Sequence, residues 1–217
     1  MMQHGDAIKN ISASQRQTSP LRHYFGVPSS QVNFCAAAVP TVPYRHVDCA
    51  ALRVAGKVLG SNFLHHEIRE KGGAYGSGSS QSRHLFKMFS YRDPQSIQTI
   101  HNFQRGIEWL LSDKVTEKHI DEALLGIFGS LDCPISPSDR GWDELSQGVD
   151  ETIRQEHREQ LLGVNKKTMQ NAVDKHLKHA FENNKVAYSI VGRAEGFHDP
   201  DQRNLFEGQG FVVSSLK

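Results

Sequence analysis

"FLHHEIREKGGAYGSGSSQSRHLFKMFSYRDP", residues 63–94, changes its period twice. The first part continues a helical pattern that begins upstream. In "CAALRVAGKVLGSNFLHHEIREK", Leu52, Ala55, Leu59 and Phe63 recur at intervals of three and four, with Asp48 just ahead as a candidate N-cap. Gly72 and Gly73 stop this helix, because glycine accepts the left-handed backbone that a helix terminus requires. "AYGSGSSQ" and "HLFKMFSYR" then read as two strands joined by a polar turn. In the second, Leu85, Lys87, Phe89 and Tyr91 alternate with Phe86, Met88 and Ser90. A helix that runs into a hairpin argues against regular βαβ alternation.

The flanks agree with that reading. Upstream, "QVNFCAAAVPTV" carries Val32, Phe34 and an apolar run to Val39, as a strand would. Downstream, "RDPQSIQTIHNFQRGIEWLL" offers Asp93 as cap and Pro94 at the first helical position, with Ile97, Ile100, Gln104, Ile107 and Leu111 at helical spacing. In "TEKHIDEALLGIFGSLD", Thr116 is the expected cap, and Ile120, Ala123, Leu124, Ile127, Phe128 and Leu131 point inward. "CPISPSD" is a break. Shorter helices follow around Trp142 and Leu145, from Ile153 to Leu162 and from Lys166 to Phe181, and "KVAYSIVG" closes as a buried strand. The order predicts an α+β fold, a largely antiparallel sheet with helices packed on one face. Residues 1–30, polar with scattered Pro and Gly, read as a linker or disordered segment, and residues 31–217 as one α+β domain.

Composition narrows the partners. Lys and Arg total 25 against 24 Asp and Glu, a formal charge of +1 over 217 residues, so no net field favours nucleic acid or an anionic membrane. No apolar run approaches the roughly 20 residues of a bilayer-spanning helix. Neither nucleic acid nor a membrane is an expected partner. The first residues, "MMQHGDAIKNISASQRQTSPLRHYFG", lack the apolar core of a secretory signal. Cys35, Cys49 and Cys133 are odd in number and widely spaced, and read as small buried hydrophobes in a reducing compartment.

His65, His66 and Glu67 invite a zinc reading. A helical zinc protease places two His one turn apart, as H-E-x-x-H or H-x-x-E-H, because both imidazoles must reach one ion. "HEIRE" has Glu70 where the second His belongs, and "HIDEA", from His119, ends at Ala123. Neither is a zinc site. His176 and His179 are neighbours on a helix without an identifiable third ligand, and read as surface histidines. A phosphate loop fails on spacing, and also on direction, since these glycines leave a helix and enter a strand. No G-x-S-x-G elbow is present, and Cys133 before Pro134 has no readable partner. What remains is Arg69 at a helix end, a glycine pair, and Tyr75 at the start of a strand. Arg and Tyr are donors that can bind a carbonyl or a developing oxyanion, with the glycines letting a substrate backbone approach. The ordinary alternatives are a solvated helix Arg and a core Tyr with a satisfied hydroxyl.

Four ordered blocks, "FLHHEIREKGGAYGSG", "FSYRDP", "IDEALLGIF" with "SPSDRG", and "HREQLLGV", resemble the C-terminal domain of the presequence proteases. These are the mitochondrial and plastid peptidasomes of the pitrilysin, or insulinase, superfamily. The resemblance runs from about Val32 to Gly192. It implies a pitrilysin-type domain of a much longer zinc endopeptidase, built from four related α+β domains that close around a chamber, with the zinc motif in the first. It further implies that Arg69 and Tyr75 reach bound peptide near the scissile bond, with Gly72, Gly73 and Ala74 contacting substrate. Zinc would then be bound outside this chain, and the chain alone would be inactive. The expected partners are peptide substrates, such as cleaved targeting peptides, and an N-terminal catalytic half in cis or as a separate subunit, in the mitochondrial matrix. The alternative is a free-standing, non-catalytic module that binds peptides or a partner.

Overall fold

The structure is a computed structural model describing residues 21–82, 84–194 and 198–215. Strands β1 (Arg22–Val27), β2 (Asn33–Pro40), β3 (Gly76–Ser82), β4 (Leu85–Asp93), β5 (Ala187–Arg193) and β6 (Val212–Ser215) form one sheet in the order β3-β4-β2-β5-β1-β6. From β3 to β5 every pairing is antiparallel, whereas β1 pairs parallel with both β5 and β6. The sheet is therefore mixed but mostly antiparallel, in an α+β fold.

The two-residue period sorts the sheet into faces. Cys35, Ala37 and Val39 of β2, Phe86 and Met88 of β4, Ile190 of β5 and Tyr24 of β1 are buried beneath the helices. On the other face Phe34, Leu85, Phe89 and Tyr91 are exposed. The covering helices are α1 (Val47–Val58), α2 (Ser96–Leu110), α3 (Glu117–Leu131), the short α4 (Trp142–Gln147), α5 (Glu151–Leu162), α6 (Lys166–Val173), α7 (His179–Glu182) and α8 (Pro200–Gly208). Leu52, Val54, Val58, Leu59 and Leu64 are fully buried along α1 and its extension. At about 1.5–3 kcal/mol per large apolar side chain, this helix is held chiefly by its packing.

Several local expectations are corrected. Arg22–Val27, placed in the linker, is a strand of the sheet, its Tyr24 ring packed at a tilt against Phe206 of α8, 4.2 Å between centroids. Residues 1–20 lie outside the described residues. The cap of α1 is His46, whose Nδ1 accepts from the Asp48 N–H at 3.0 Å. Asp48 instead accepts from His176 Nε2 at 2.7 Å and Lys175 Nζ at 2.9 Å, tying α1 to the π-helical turn Asp174–Lys178 that joins α6 to α7. His176 is thus a half-buried tie rather than a surface residue. Asp93 ends β4, and its carboxylate accepts from the Gln95 N–H, Ser90 Oγ and Thr99 Oγ1, so α2 starts only at Ser96. Gln104 is exposed, and α2 turns inward through Ser96, Thr99, Asn102, Phe103 and Gly106 as well as its isoleucines. Thr116 does cap α3, in a box in which its N–H donates to His119 Nδ1 at 3.1 Å. Cys133 is exposed, whereas Cys35 and Cys49 are buried.

The helix continues beyond Val58 in a wider form. From Leu59 to Glu70 it is π-helical, and the Lys71 N–H reaches back five residues to the His66 carbonyl at 3.0 Å. The wider turn keeps Phe63, Leu64 and Ile68 in the core and leaves His66, Arg69 and Glu70 outside. Two glycines let it press on the edge strand: a Cβ on Gly56 would lie 3.1 Å from Ser80 Cα, and one on Gly60 3.2 Å from Ser79 N. Ser79 Oγ donates to the Gly56 carbonyl at 2.7 Å. The hairpin is thereby fixed to the helix that carries Arg69.

Candidate functional site

The turn between helix and hairpin is built by its glycines. The Gly73 N–H donates to the Arg69 carbonyl and the Ala74 N–H to the Ile68 carbonyl, both at 3.1 Å, closing the helix end in the manner of a Schellman cap one residue wider. Gly73 supplies the positive φ, +78°, that this closure demands. Gly72 is required for space, since a Cβ there would stand 2.6 Å from the Ile68 carbonyl oxygen. Ala74 is buried in the core and anchors the turn.

Arg69 and Tyr75 project from the two ends of this turn into solvent. No hydrogen bond or ring contact joins them among the described residues. Arg69 Nη1 lies 3.1 Å from His65 Nε2, and His65 Nδ1 is 3.3 Å from Glu70, whose other oxygen is 2.6 Å from His66 Nδ1. The hydrogen bond from His66 is the largest influence on Glu70 and holds its carboxyl below the usual range. His65 thus braces Arg69, while His66 holds Glu70. Glu70 is committed to both rings, and among the described residues no group of three or more His, Cys, Asp and Glu is arranged to hold a metal ion.

Tyr75 is 61% exposed, which rules out the core alternative. Its ring sits 5.5 Å from that of Tyr91, and the Arg92 guanidinium lies 5.5 Å above it. Arg92 reaches that position through a bulge: Asn33 pairs with Asp93 and Phe34 with Tyr91, leaving Arg92 unmatched, with φ +50°. Tyr91 and Phe89 lie across β3, where a Cβ on Gly76 or Gly78 would strike their rings at 2.3 and 2.8 Å. With Phe34 opposite Tyr91, they extend an aromatic floor from Tyr75 across the open face. Sequence reading missed His65, Tyr91 and Arg92 as members of this corner. The motif "YRDP" marks the place, but only the bulge puts the Arg92 cation over Tyr75.

The corner therefore offers two cationic donors, a phenol and an apolar floor beside β3, the edge strand of the sheet among the described residues, a surface suited to an extended chain. The family model described as the PreP C-terminal domain matches residues 24–191. The chain is 43% identical over 186 residues to the mitochondrial presequence protease of Xenopus tropicalis, covering 85% of this chain and 17% of that protein. It thus spans less than a fifth of the length of that relative. Among solved structures, a protease from Helicobacter pylori superposes with a TM-score of 0.64 at 17% identity, covering 78% of this chain and 43% of that one. A peptidase M16 inactive domain from Pseudomonas fluorescens gives 0.59 at 23% identity, covering 79% and 44%. These last two speak to the fold alone. The family match, which runs from β1 through the Arg69–Tyr75 turn into β5, shows that this chain belongs to the presequence protease (PreP) C-terminal domains.

Proposed function

We propose that this chain works as the non-zinc-binding C-terminal part of a mitochondrial zinc metalloendopeptidase that degrades targeting peptides and other short unstructured peptides. Zinc, attacking water and general base belong to the N-terminal half of that enzyme. The observation that carries the reading is the pair of exposed donors, Arg69 and Tyr75, set at the two ends of a rigid glycine turn beside an open aromatic floor. Arg69 holds a peptide carbonyl or the negative charge that grows on it, and Tyr75 adds a neutral donor. Gly72, Gly73 and Ala74 keep the backbone low enough for the substrate chain to pass. The floor of Tyr91, Phe89 and Phe34 takes its apolar side chains.

The test is Arg69→Met and Tyr75→Phe in the full-length enzyme, with steady-state cleavage of a presequence peptide. Loss of one such donor is worth about 3 kcal/mol on other enzymes, so kcat should fall on the order of a hundredfold with the circular dichroism spectrum unchanged. Unchanged kcat and KM in both variants would reduce the turn to a structural feature.

A further inference from the structure

On the helical side, away from the turn, lies a cavity of about 410 Å³ between α1, β3, α3 and α5. Its polar wall is basic: Arg53 and Lys57 from α1 and Arg154 from α5 line it, and no carboxylate does. Arg53 is half-buried and has no hydrogen bond or carboxylate partner among the described residues. An anion that enters the cavity therefore meets a guanidinium with no carboxylate to compete for it. Gly126 of α3 makes room for the Lys57 stem, since a Cβ there would stand 2.9 Å from Lys57 Cε, and this steers the ammonium to the cavity rim. Arg154 has Glu151 at 3.6 Å as a local partner.

The second observation is His157. Its side chain is buried at the cavity wall, its ring tilted against that of Tyr44 at 4.3 Å, and neither ring nitrogen has a hydrogen-bond partner among the described residues. The Oε1 of Gln160 is likewise buried without a hydrogen-bond partner among the described residues. Buried imidazoles are ordinarily paired, and the one N–H of this neutral ring is a donor without a protein acceptor among the described residues. Tyr44, Ile127, Leu131 and Val149 supply an apolar wall opposite.

We propose that this cavity is a binding site for a small organic dianion, a dicarboxylate or a phosphate ester, held by Arg53, Lys57 and His157 and resting its carbon body on the apolar wall. Burial first, and then the Arg53 charge, push the His157 pKa down to about 4. Cys49, the other titratable group on α1 facing Arg53, is pushed up to about 11 by burial. Both are neutral at pH 7. An oxyanion would neutralise Arg53 and accept from the ring N–H, and both contacts raise the ring pKa in the complex.

The experiment follows the His157 ring by NMR in the histidine-labelled 217-residue chain during titration with glutarate and, separately, inorganic phosphate, against sodium chloride at matched ionic strength. Expected are saturable shifts of the His157 resonances, an apparent ring pKa higher by about one unit in the complex, and binding weakened at least roughly tenfold by Arg53→Met. Lys57→Met, at an exposed position, should weaken binding without perturbing the fold, and His157→Gln should remove the ring's own contribution to its pH dependence. Saturation by phosphate alone assigns a phosphate ester, and by glutarate alone a dicarboxylate. Shifts no larger than those with chloride for both probes, or Lys57→Met and Arg53→Met binding as the parent does, would overturn the proposal. None of these readouts depends on peptide handling at Arg69 and Tyr75.

Discussion

His157 makes the stability of the molecule depend on pH even without a ligand. Its ring is protonated in the folded chain only near pH 4, because burial and then the Arg53 charge disfavour the imidazolium, whereas in the unfolded chain it takes up its proton near the ordinary value of 6.5. Between those values the unfolded state binds more protons, so stability is full above pH 6.5 and falls as pH drops towards 4, with no further loss from this group below it. The cavity beside the ring admits solvent, which tempers the effect to about 2 kcal/mol. Urea unfolding of the chain at pH 7, 5.5 and 4.5 should show this decline, and His157→Phe, which keeps the stack on Tyr44, should flatten it. A parallel decline in that variant would place the acid sensitivity elsewhere.

At the scale of elements, the turn from helix to hairpin rests on two glycines with different duties. Gly73→Ala puts a side chain at φ +78°, a cost of about 1–2 kcal/mol that leaves neighbouring atoms in place. Gly72→Ala forces a methyl to within 2.6 Å of the Ile68 carbonyl, so the backbone must move and carry Arg69 with it. Thermal unfolding should register both substitutions, but in the full-length enzyme Gly72→Ala should cost far more turnover than Gly73→Ala for a similar loss of stability. Equal kinetic losses would mean that the turn's geometry does not set the Arg69 position. The bulge offers a converse case. Arg92→Gly relieves a non-glycine residue at φ +50° and should leave stability unchanged or raise it by about 0.5–1 kcal/mol. It also removes the cation above Tyr75, so KM for a presequence peptide should rise. An unchanged KM would make Arg92 a bulge residue and nothing more.

These elements also show what the sequence could and could not disclose. The β4 alternation, the Thr116 cap and the helix–glycine–hairpin order are local signals, and they led to the observed elements. The π-helical stretch Leu59–Glu70 was not legible, because Leu59, Phe63, Leu64 and Ile68 satisfy an ordinary helical period almost as well, and only packing against β3 decides between them. β1 was missed because "RHYFGV" is polar enough to pass as linker, and its pairing with β5 lies more than 150 residues away. Arg69, Tyr75 and the glycines were singled out from residue type, spacing and resemblance. Their supporting partners were not, since a β-bulge and an i, i+4 His–Arg contact are products of geometry.

For the whole molecule, the uneven treatment of its two faces is the consequence that matters. One side of the sheet is closed by helices, and the other exposes Phe34, Leu85, Phe89 and Tyr91. Contiguous exposed apolar surface on a folded domain marks an interaction face, and this one adjoins the Arg69–Tyr75 corner. The 217-residue chain alone should therefore bind an apolar dye and self-associate as concentration rises, and Phe34→Ser with Phe89→Ser should abolish both while leaving the helical core intact. In the full-length enzyme the same double substitution should leave stability nearly untouched and weaken peptide binding, because the face would line an enclosed space rather than a packed interface. A dye-silent, monomeric parent chain would remove the case for an enclosed face. A full-length variant that falls apart would instead make the face a glue between domains, and the peptide would have to pass elsewhere.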